Sequence, residues 1–234
     1  MGEEMKCDHN IAIDLEWTSV FYANKPAGLH NEIIEIGAVK LGSNGDELDV
    51  FAEFVKPTYA RSVTHRVRRI TGIRDRDLAA ARPFEDVLLS LANWIGNGRS
   101  RMITWGGVDR TQIFSECEAK GIKSGLPRRW LDLQKLYPRL MGTRRRQVSL
   151  GEAADWCGLE FDKRHRAMYD ARATEQLFNM AATGSCTEQR RALSESIRCC
   201  VRERPLGASI ADRCDASLAE LLSSLASKDA ITYA

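Results

Sequence analysis

The chain has 234 residues, of which 44% are hydrophobic and 28% are charged, so it can bury a core and is too apolar for wholesale disorder. Its net charge of +2 excludes few partners, but the N-terminus MGEEMKCDHN lacks the basic start and apolar run of a secretory signal. No later stretch is long and apolar enough to span a bilayer, so we expect a cytoplasmic protein without a membrane partner.

Strand patterns fill the first quarter of the chain. Residues Ile11 to Trp17 (IAIDLEW) and Glu32 to Leu41 are rich in apolar and β-branched residues, as strands are. Leu48 to Val55 alternates apolar and polar residues, and the sequence GSNG at 42–45 marks the turn before it. Three strands joined by turns predict an antiparallel meander.

Helices and short strands alternate from Pro83 onward. The segment that opens with Pro83 has helical spacing, and Pro is favoured at the start of a helix. Further helices are predicted near 109–120, 133–141, 149–157 and 167–182, and short buried strands near 101–105 and 130–133. This order predicts an α/β fold in which helices cover a mixed sheet.

The sequence changes character after residue 183. GSCT at 184–187 marks a boundary, and helical patterns resume at 188–204 and 217–226. We therefore expect one domain at 1–183, followed by a C-terminal helical extension at 184–234.

Arginine is concentrated at 61–76, 128–129 and 144–146. Such patches suit the phosphates of a nucleic acid. A solvated surface that keeps the protein soluble is the alternative that the patches alone leave open.

The first predicted strand carries two acids, Asp14 and Glu16, two positions apart. Alternate residues of a strand project from the same face, so the two carboxylates lie side by side. Because two like charges in a core are costly, they require protonation, a basic partner, exposure at the strand end or a bound cation.

Two later acids stand where they could join this pair. Asp109 follows Trp105-Gly-Gly-Val at a strand-to-helix junction, and Asp170 lies in a later predicted helix. Asp at a helix N-terminus is commonly a cap, which is the alternative for Asp109 alone. Together the acids predict an all-oxygen pocket of the kind that Mg²⁺ or Mn²⁺ requires.

His165 lies five residues before Asp170, just outside the predicted helix. In a loop its ring would be accessible to solvent, and an imidazole can take a proton from an attacking water at neutral pH. A surface or packing role is the alternative for a single histidine, and the spacing to Asp170 argues against it.

On these residues the chain resembles the DEDDh branch of the DnaQ-like 3′-to-5′ exonucleases, the superfamily of RNase T. The segments most similar to the Eri-type exoribonucleases are EIIEIGAVKL, VKPTYA, ITGI, WGGVDR, WLDL and SLGEAADWCGLEFDKRHRAMYDARAT. They run in family order from about residue 10 to 182. The resemblance implies an RNase H-like fold with a five-stranded mixed sheet, an antiparallel meander followed by parallel strands, flanked by helices.

The resemblance also implies roles for individual residues. Two Mg²⁺ (or Mn²⁺) ions would be held by Asp14, Glu16, Asp109 and Asp170, with His165 as the general base. Family positions near the substrate are matched by Leu15, Trp17, Thr71, Gly72 and Trp105. Three further acids are left outside the metal set: Glu32, Glu35 and Asp132.

Trp17 stands where the family often has a small residue, so it either stacks on a base or packs in the core. The chain as a whole is expected to be a metal-dependent exonuclease that releases nucleoside 5′-monophosphates from the 3′ end of single-stranded RNA or of RNA overhangs. A DNA 3′-to-5′ exonuclease of proofreading or repair and a non-catalytic nucleic-acid-binding adaptor are the alternatives. The sequence does not give the oligomeric state.

Overall fold

The computed structural model describes residues 8–22, 24–140, 147–160 and 164–183. The predicted helical extension at 184–234 and the arginines at 144–146 lie outside the described residues. Within the described part of the chain, no helix combines the length and the apolar character needed to cross a membrane.

A mixed sheet forms the centre of the fold. Its strands are β1 (His9–Ser19), β2 (Asn31–Leu41), β3 (Glu47–Lys56), β4 (Arg82–Pro83), β5 (Ser100–Thr104) and β6 (Arg129–Asp132), in the order β4-β3-β2-β1-β5-β6. β1, β2 and β3 pair antiparallel, whereas β5 pairs parallel to both β1 and β6. The predicted meander and the parallel strands after it are confirmed, and β4 adds a two-residue strand beside β3 that we did not predict.

Six helices flank the described sheet: α1 (His65–Thr71), α2 (Phe84–Ile95), α3 (Val108–Lys120), α4 (Leu133–Leu140), α5 (Leu150–Trp156) and α6 (Ala167–Thr183). The five predicted helices end within a few residues of their predicted bounds. α1 was not predicted, because its sequence HRVRRIT has no apolar stripe. Local capping defines it instead: the Thr64 side chain accepts a hydrogen bond from the Val67 amide, and Gly72 closes the helix at φ 75°.

The two faces of β1 pack against different layers. Ile11, Ile13 and Leu15 belong to the main core, which also contains the buried face of α2. Burial of such a side chain contributes about 1.5–3 kcal/mol. Ala12, one residue out of phase, packs with Ala171 of α6 in a separate cluster. The alternation therefore turns Asp14, like Ala12, toward α6.

A glycine allows α6 to approach the sheet closely. A Cβ atom at Gly37 would lie 2.2 Å from the backbone nitrogen of Met168 and 2.3 Å from the carbonyl carbon of Ala167. Gly37 pairs with Asp14 in the β1–β2 ladder, so directly paired residues share this face. The first turn of α6 therefore lies over the acid of β1.

Candidate active site

The candidate site begins with the two acids of β1. Asp14 is half-buried opposite Gly37, and Glu16 is half-buried opposite Glu35 of β2. The register shifts directly after Glu16, between Glu16 and Trp17. The regular ladder thus holds both acids on the face covered by α6, and the irregularity begins at the residue that follows them.

Asp109 joins the pair from the first turn of α3. Its side chain is buried, and Oδ1 accepts a hydrogen bond of 3.2 Å from the backbone amide of Leu15. That amide lies between the two acids of β1 in the sequence. Asp109 therefore binds the strand that carries the pair, which is a long-range contact and not a helix cap.

Asp170 joins it from the first turn of α6. Its carboxylate accepts the backbone N–H of His165 at 3.2 Å and 3.3 Å. Ligand atoms of Glu16, His165 and Asp170 all lie within 4.8 Å of one another. All five residues of the predicted catalytic set are thus brought to one region by three elements and the loop before α6.

Burial and mutual repulsion raise the pKa of all four acids. Loss of water is the largest cause at each, and for Asp14 the neighbouring charges of Asp109 and Asp170 come next. The pKa of Glu16 rises to about 8, those of Asp109 and Asp170 rise to about 7, and that of Asp14 lies well above its usual range.

This set of residues fits divalent cations. In the described part of the chain none of the four carboxylates forms a salt bridge, and the longer-range attraction of Arg166 for Glu16 and of Arg164 for Asp170 does not offset the causes that raise their pKa values. Mg²⁺ and Mn²⁺ prefer oxygen ligands of this kind, and a bound cation would favour the charged carboxylates and so oppose the burial and repulsion that raise these pKa values.

His165 has an unusual backbone. It is exposed, it precedes α6 by two residues, and its φ of 62° is the one positive value among the described non-glycine residues. A histidine in this conformation is held by its surroundings, here by the hydrogen bonds from its amide to Asp170. The loop thus presents the ring at the mouth of the site.

A charged pair that the sequence did not reveal holds this loop. Arg166 Nε lies 3.1 Å and 3.0 Å from the two carboxylate oxygens of Glu35, and Arg166 Nη2 lies 2.7 Å from Oε1. The Ala167 amide donates to Glu35 Oε2 at 3.1 Å. Glu35, which is not a predicted metal ligand, therefore fixes the start of α6. Its role depends on a strand register that no local pattern gives.

A second charged network fixes α3. Lys120 Nζ lies 2.8 Å from Glu116 Oε1 and 2.8 Å from Glu32 Oε1, with both carboxylates fully buried. Glu116 Oε2 accepts the Ile33 amide at 2.8 Å. Since Lys120 is the last residue of the helix that begins next to Asp109, the network sets where that helix lies on β2.

The predicted substrate residues have different surroundings. The Leu15 side chain lies in the main core, whereas Trp17 is half-buried and lines a cleft. The Thr71 hydroxyl donates to the Val67 carbonyl, and Gly72 ends α1. The Trp105 indole donates to the Val148 carbonyl at 3.1 Å and packs edge-on against Tyr137. These contacts are structural, and a substrate role for the five residues stays a prediction.

The cleft beside Trp17 has a volume of about 290 Å³. Leu29, Asn31, Val108 and Gln112 also line it, and Val108 immediately precedes Asp109. We call it the Trp17 cleft. It is comparable in size to the smallest ligand pockets of proteins, and its lining residues Trp17 and Val108 directly follow Glu16 and directly precede Asp109 in the chain.

Residues 11–178 match the model of the family described as Exonuclease, RNase_T. The probable 3′-5′ exonuclease KapD of Bacillus subtilis is 26% identical over 171 residues, which cover 73% of this chain and 82% of KapD.

Two other kinds of relative are longer than this chain. The 3′-5′ exoribonuclease 1 of Rattus norvegicus is 24% identical over 175 residues, covering 70% of this chain and 50% of that protein. A PolC-type DNA polymerase III of Thermotoga petrophila is 32% identical over 150 residues, covering 63% of this chain but only 10% of the polymerase.

Solved structures share the fold. The nuclease domain of 3′hExo, described as a DEDDh family member bound to rAMP, superposes with a TM-score of 0.67 at 22% identity, covering 78% of this chain and 95% of that domain. Exonuclease I of E. coli in complex with a dT13 oligonucleotide gives a TM-score of 0.59 at 14% identity, covering 75% of this chain and 41% of that protein.

Proposed function

The chain belongs to the exonuclease (RNase_T) family, and from this premise we propose that it is a 3′-to-5′ exonuclease of the DEDDh type, which removes nucleoside 5′-monophosphates from the 3′ end of RNA. The observation that supports the proposal most is the convergence of Glu16, His165 and Asp170 within 4.8 Å, beside Asp14 and Asp109. Crowded acids that form no salt bridge have little structural benefit, so a catalytic role accounts for them best.

Two divalent ions, Mg²⁺ or Mn²⁺, held by the four acids would lower the pKa of a water molecule and polarise the phosphodiester. His165 would accept the proton of that water on an imidazole nitrogen as the water oxygen attacks phosphorus. The bond between phosphorus and the 3′ oxygen of the preceding nucleotide breaks. That oxygen takes a proton from solvent, and a nucleoside 5′-monophosphate is released.

The choice of RNA rests on the relatives. The exoribonuclease relative shares about half of its length with this chain, and the nuclease domain with the same fold was bound to rAMP. The DNA polymerase relative is more identical, at 32%, which favours DNA as the second candidate substrate. Discrimination between them would require a contact to the 2′-hydroxyl.

The test compares 5′-labelled RNA and DNA of one sequence, each with Mg²⁺ and with Mn²⁺. We expect a shortening ladder from the 3′ end of RNA, and Asp14→Asn should abolish it. Glu118→Gln is the matched control, because Glu118 is an exposed acid of α3.

Three outcomes would contradict parts of the proposal. Faster shortening of DNA would reverse the choice of substrate. Full activity of Asp14→Asn would show that the proposed active site is wrong. Binding of RNA by the wild type without any shortening would leave only the adaptor alternative.

A further inference from the structure

A second and larger cleft adjoins the candidate site. It has a volume of about 640 Å³ and is lined by residues of α3, β6 and α4. We call it the β6 cleft. Val108 and Thr111 line both this cleft and the Trp17 cleft, so the two meet at the first turn of α3. Asp109 lies in that same turn.

The β6 cleft has unpaired positive charge. Its lining includes Arg110, Arg128 and Lys135 but one acid, Asp132, whose carboxylate pairs with Lys135 at 3.1 Å. Arg110 contacts the ring of Phe114 and has no acidic partner in the described part of the chain. Arg128 is exposed, and within the same residues its side chain has no hydrogen bond, ion pair or ring contact. Two guanidinium groups are therefore free to bind an anion.

The other lining groups suit nucleotides rather than a simple ion. The half-buried indole of Trp130 lines the same space; it packs edge-on against Phe114 and donates to the Pro127 carbonyl at 2.8 Å. The amides of Gln134 and Gln147 bond to the Val148 carbonyl and to each other, so they shape the wall of the cleft. Aromatic rings stack on bases, and arginines bind phosphates. A flexible polyanion with planar groups matches this combination best.

Position and size relate the cleft to the reaction. The removed nucleotide requires a pocket next to the acids, and the Trp17 cleft of about 290 Å³ is of that size. The β6 cleft, at about 640 Å³, has roughly twice that volume and lies on the other side of Val108. The rest of the strand must leave the acids through a neighbouring groove.

We propose that the β6 cleft binds the nucleotides on the 5′ side of the bond being cut, with Arg110 and Arg128 holding their phosphates. The inference rests on the proposed exonuclease function and adds a requirement for substrate length. Strands that extend into the cleft are bound more tightly than a single nucleotide unit.

The test uses the full chain and two substrates. One is single-stranded RNA of about ten nucleotides, and the other is the p-nitrophenyl ester of a ribonucleoside 5′-monophosphate, which has nothing on the 5′ side. The variant is Arg110→Gln with Arg128→Gln. Its matched control is Lys56→Gln with Lys123→Gln, which removes the same charge from exposed positions at the end of β3 and beyond the C-terminus of α3.

The arginine variant should lower kcat/KM for RNA at least about tenfold relative to kcat/KM for the ester, mainly through KM. The slope of log KM against log salt should fall by about 1.4, which is about 0.7 for each of two lost phosphate contacts. The lysine control should keep the wild-type ratio.

The inference would be overturned if the arginine variant lost kcat/KM equally on both substrates or on neither. It would also be overturned if the lysine control lost as much kcat/KM on RNA as the arginine variant does. Failure of the proposed function gives a separate result, because the wild type would then cleave neither the RNA nor the ester. If the wild type prefers DNA, the same ratio is measured with a DNA strand and a deoxynucleotide ester.

Discussion

Arg166 and Glu35 form a bidentate pair across 131 positions of the sequence, with Nη2 to Oε1 at 2.7 Å and Nε within 3.1 Å of both carboxylate oxygens. Glu35 also accepts the Ala167 amide, so one carboxylate fixes both the residue after His165 and the first residue of α6. Asp170 lies one turn further along α6. The Arg166–Glu35 pair therefore positions both His165 and Asp170, which contact the reacting atoms in the proposed mechanism.

Glu35→Gln should lower kcat about 10- to 100-fold and weaken Mn²⁺ binding by a similar factor, because partners that orient metal ligands have effects of this size. KM should change little. Steady-state kinetics and Mn²⁺ titration measure the two effects. Glu53→Gln, which removes the acid of the more exposed Arg82–Glu53 pair, is the control. Wild-type kcat in Glu35→Gln would show that the pair has no positioning role.

Gly37→Ala should displace α6 and reduce activity. The added Cβ would meet backbone atoms at 2.2 Å and 2.3 Å, and backbone cannot move aside as a side chain can. Overpacking of this kind costs about 1–3 kcal/mol of the free energy of unfolding, and displacement of the helix would also separate Asp170 from Glu16. Denaturant unfolding and kcat together measure the effect.

Gly98→Ala is the matched substitution for Gly37→Ala, since a Cβ there meets ordinary contacts at 3.5 Å and beyond. It should leave both quantities near the wild-type values. If Gly37→Ala behaves in the same way, the close approach of α6 does not control the site.

The metal-free protein should lose stability as pH rises from about 5 to about 8. The folded pKa values of Glu16, Asp109 and Asp170, at about 8, 7 and 7, lie above those of the unfolded chain. Folding therefore takes up protons in this range. The contribution of this proton uptake to the free energy of unfolding is complete below the unfolded pKa of about 4, and it is lost as pH rises through the folded pKa values. Thermal unfolding in a chelator measures the slope.

Added Mg²⁺ or Mn²⁺ should raise Tm more at about pH 8 than at about pH 5.5, because the ions compete with protons for the same carboxylates. The variant Glu16→Gln with Asp170→Asn should flatten the pH dependence and reduce the effect of metal. A metal-free Tm that stays constant or increases over this range would contradict the proposed electrostatics.

Lys120→Met should lower the free energy of unfolding by about 3–5 kcal/mol, since it leaves two buried carboxylates without their cation. The exposed Lys123, three residues further on, provides the control Lys123→Met, which should be close to neutral. Urea unfolding of both variants measures the difference. Equal stabilities would mean that the network does not hold α3 on β2.

Local sequence patterns were sufficient for most of the elements and for the five residues of the proposed chemistry. Apolar and β-branched residues identified β1 and β2, alternation identified β3, and helical spacing identified α2 to α6, because these signals depend on neighbours within a few residues. Asp14 and Glu16 were recognised as candidate site residues because two carboxylates on one face of a buried strand repel each other and require a cation or protonation. α1 has no apolar stripe, so only its caps at Thr64 and Gly72 indicate it.

The sequence by itself thus determined most of the elements, apart from α1 and β4, and which acids and histidine are available. Only the tertiary structure decided how they meet. The contact of Arg166 with Glu35, the approach of Ala167 to Gly37 and the bond from Leu15 to Asp109 join residues 94 to 131 positions apart. Such contacts depend on strand register and helix position, which are fixed by the packing of the whole core and not by any segment alone.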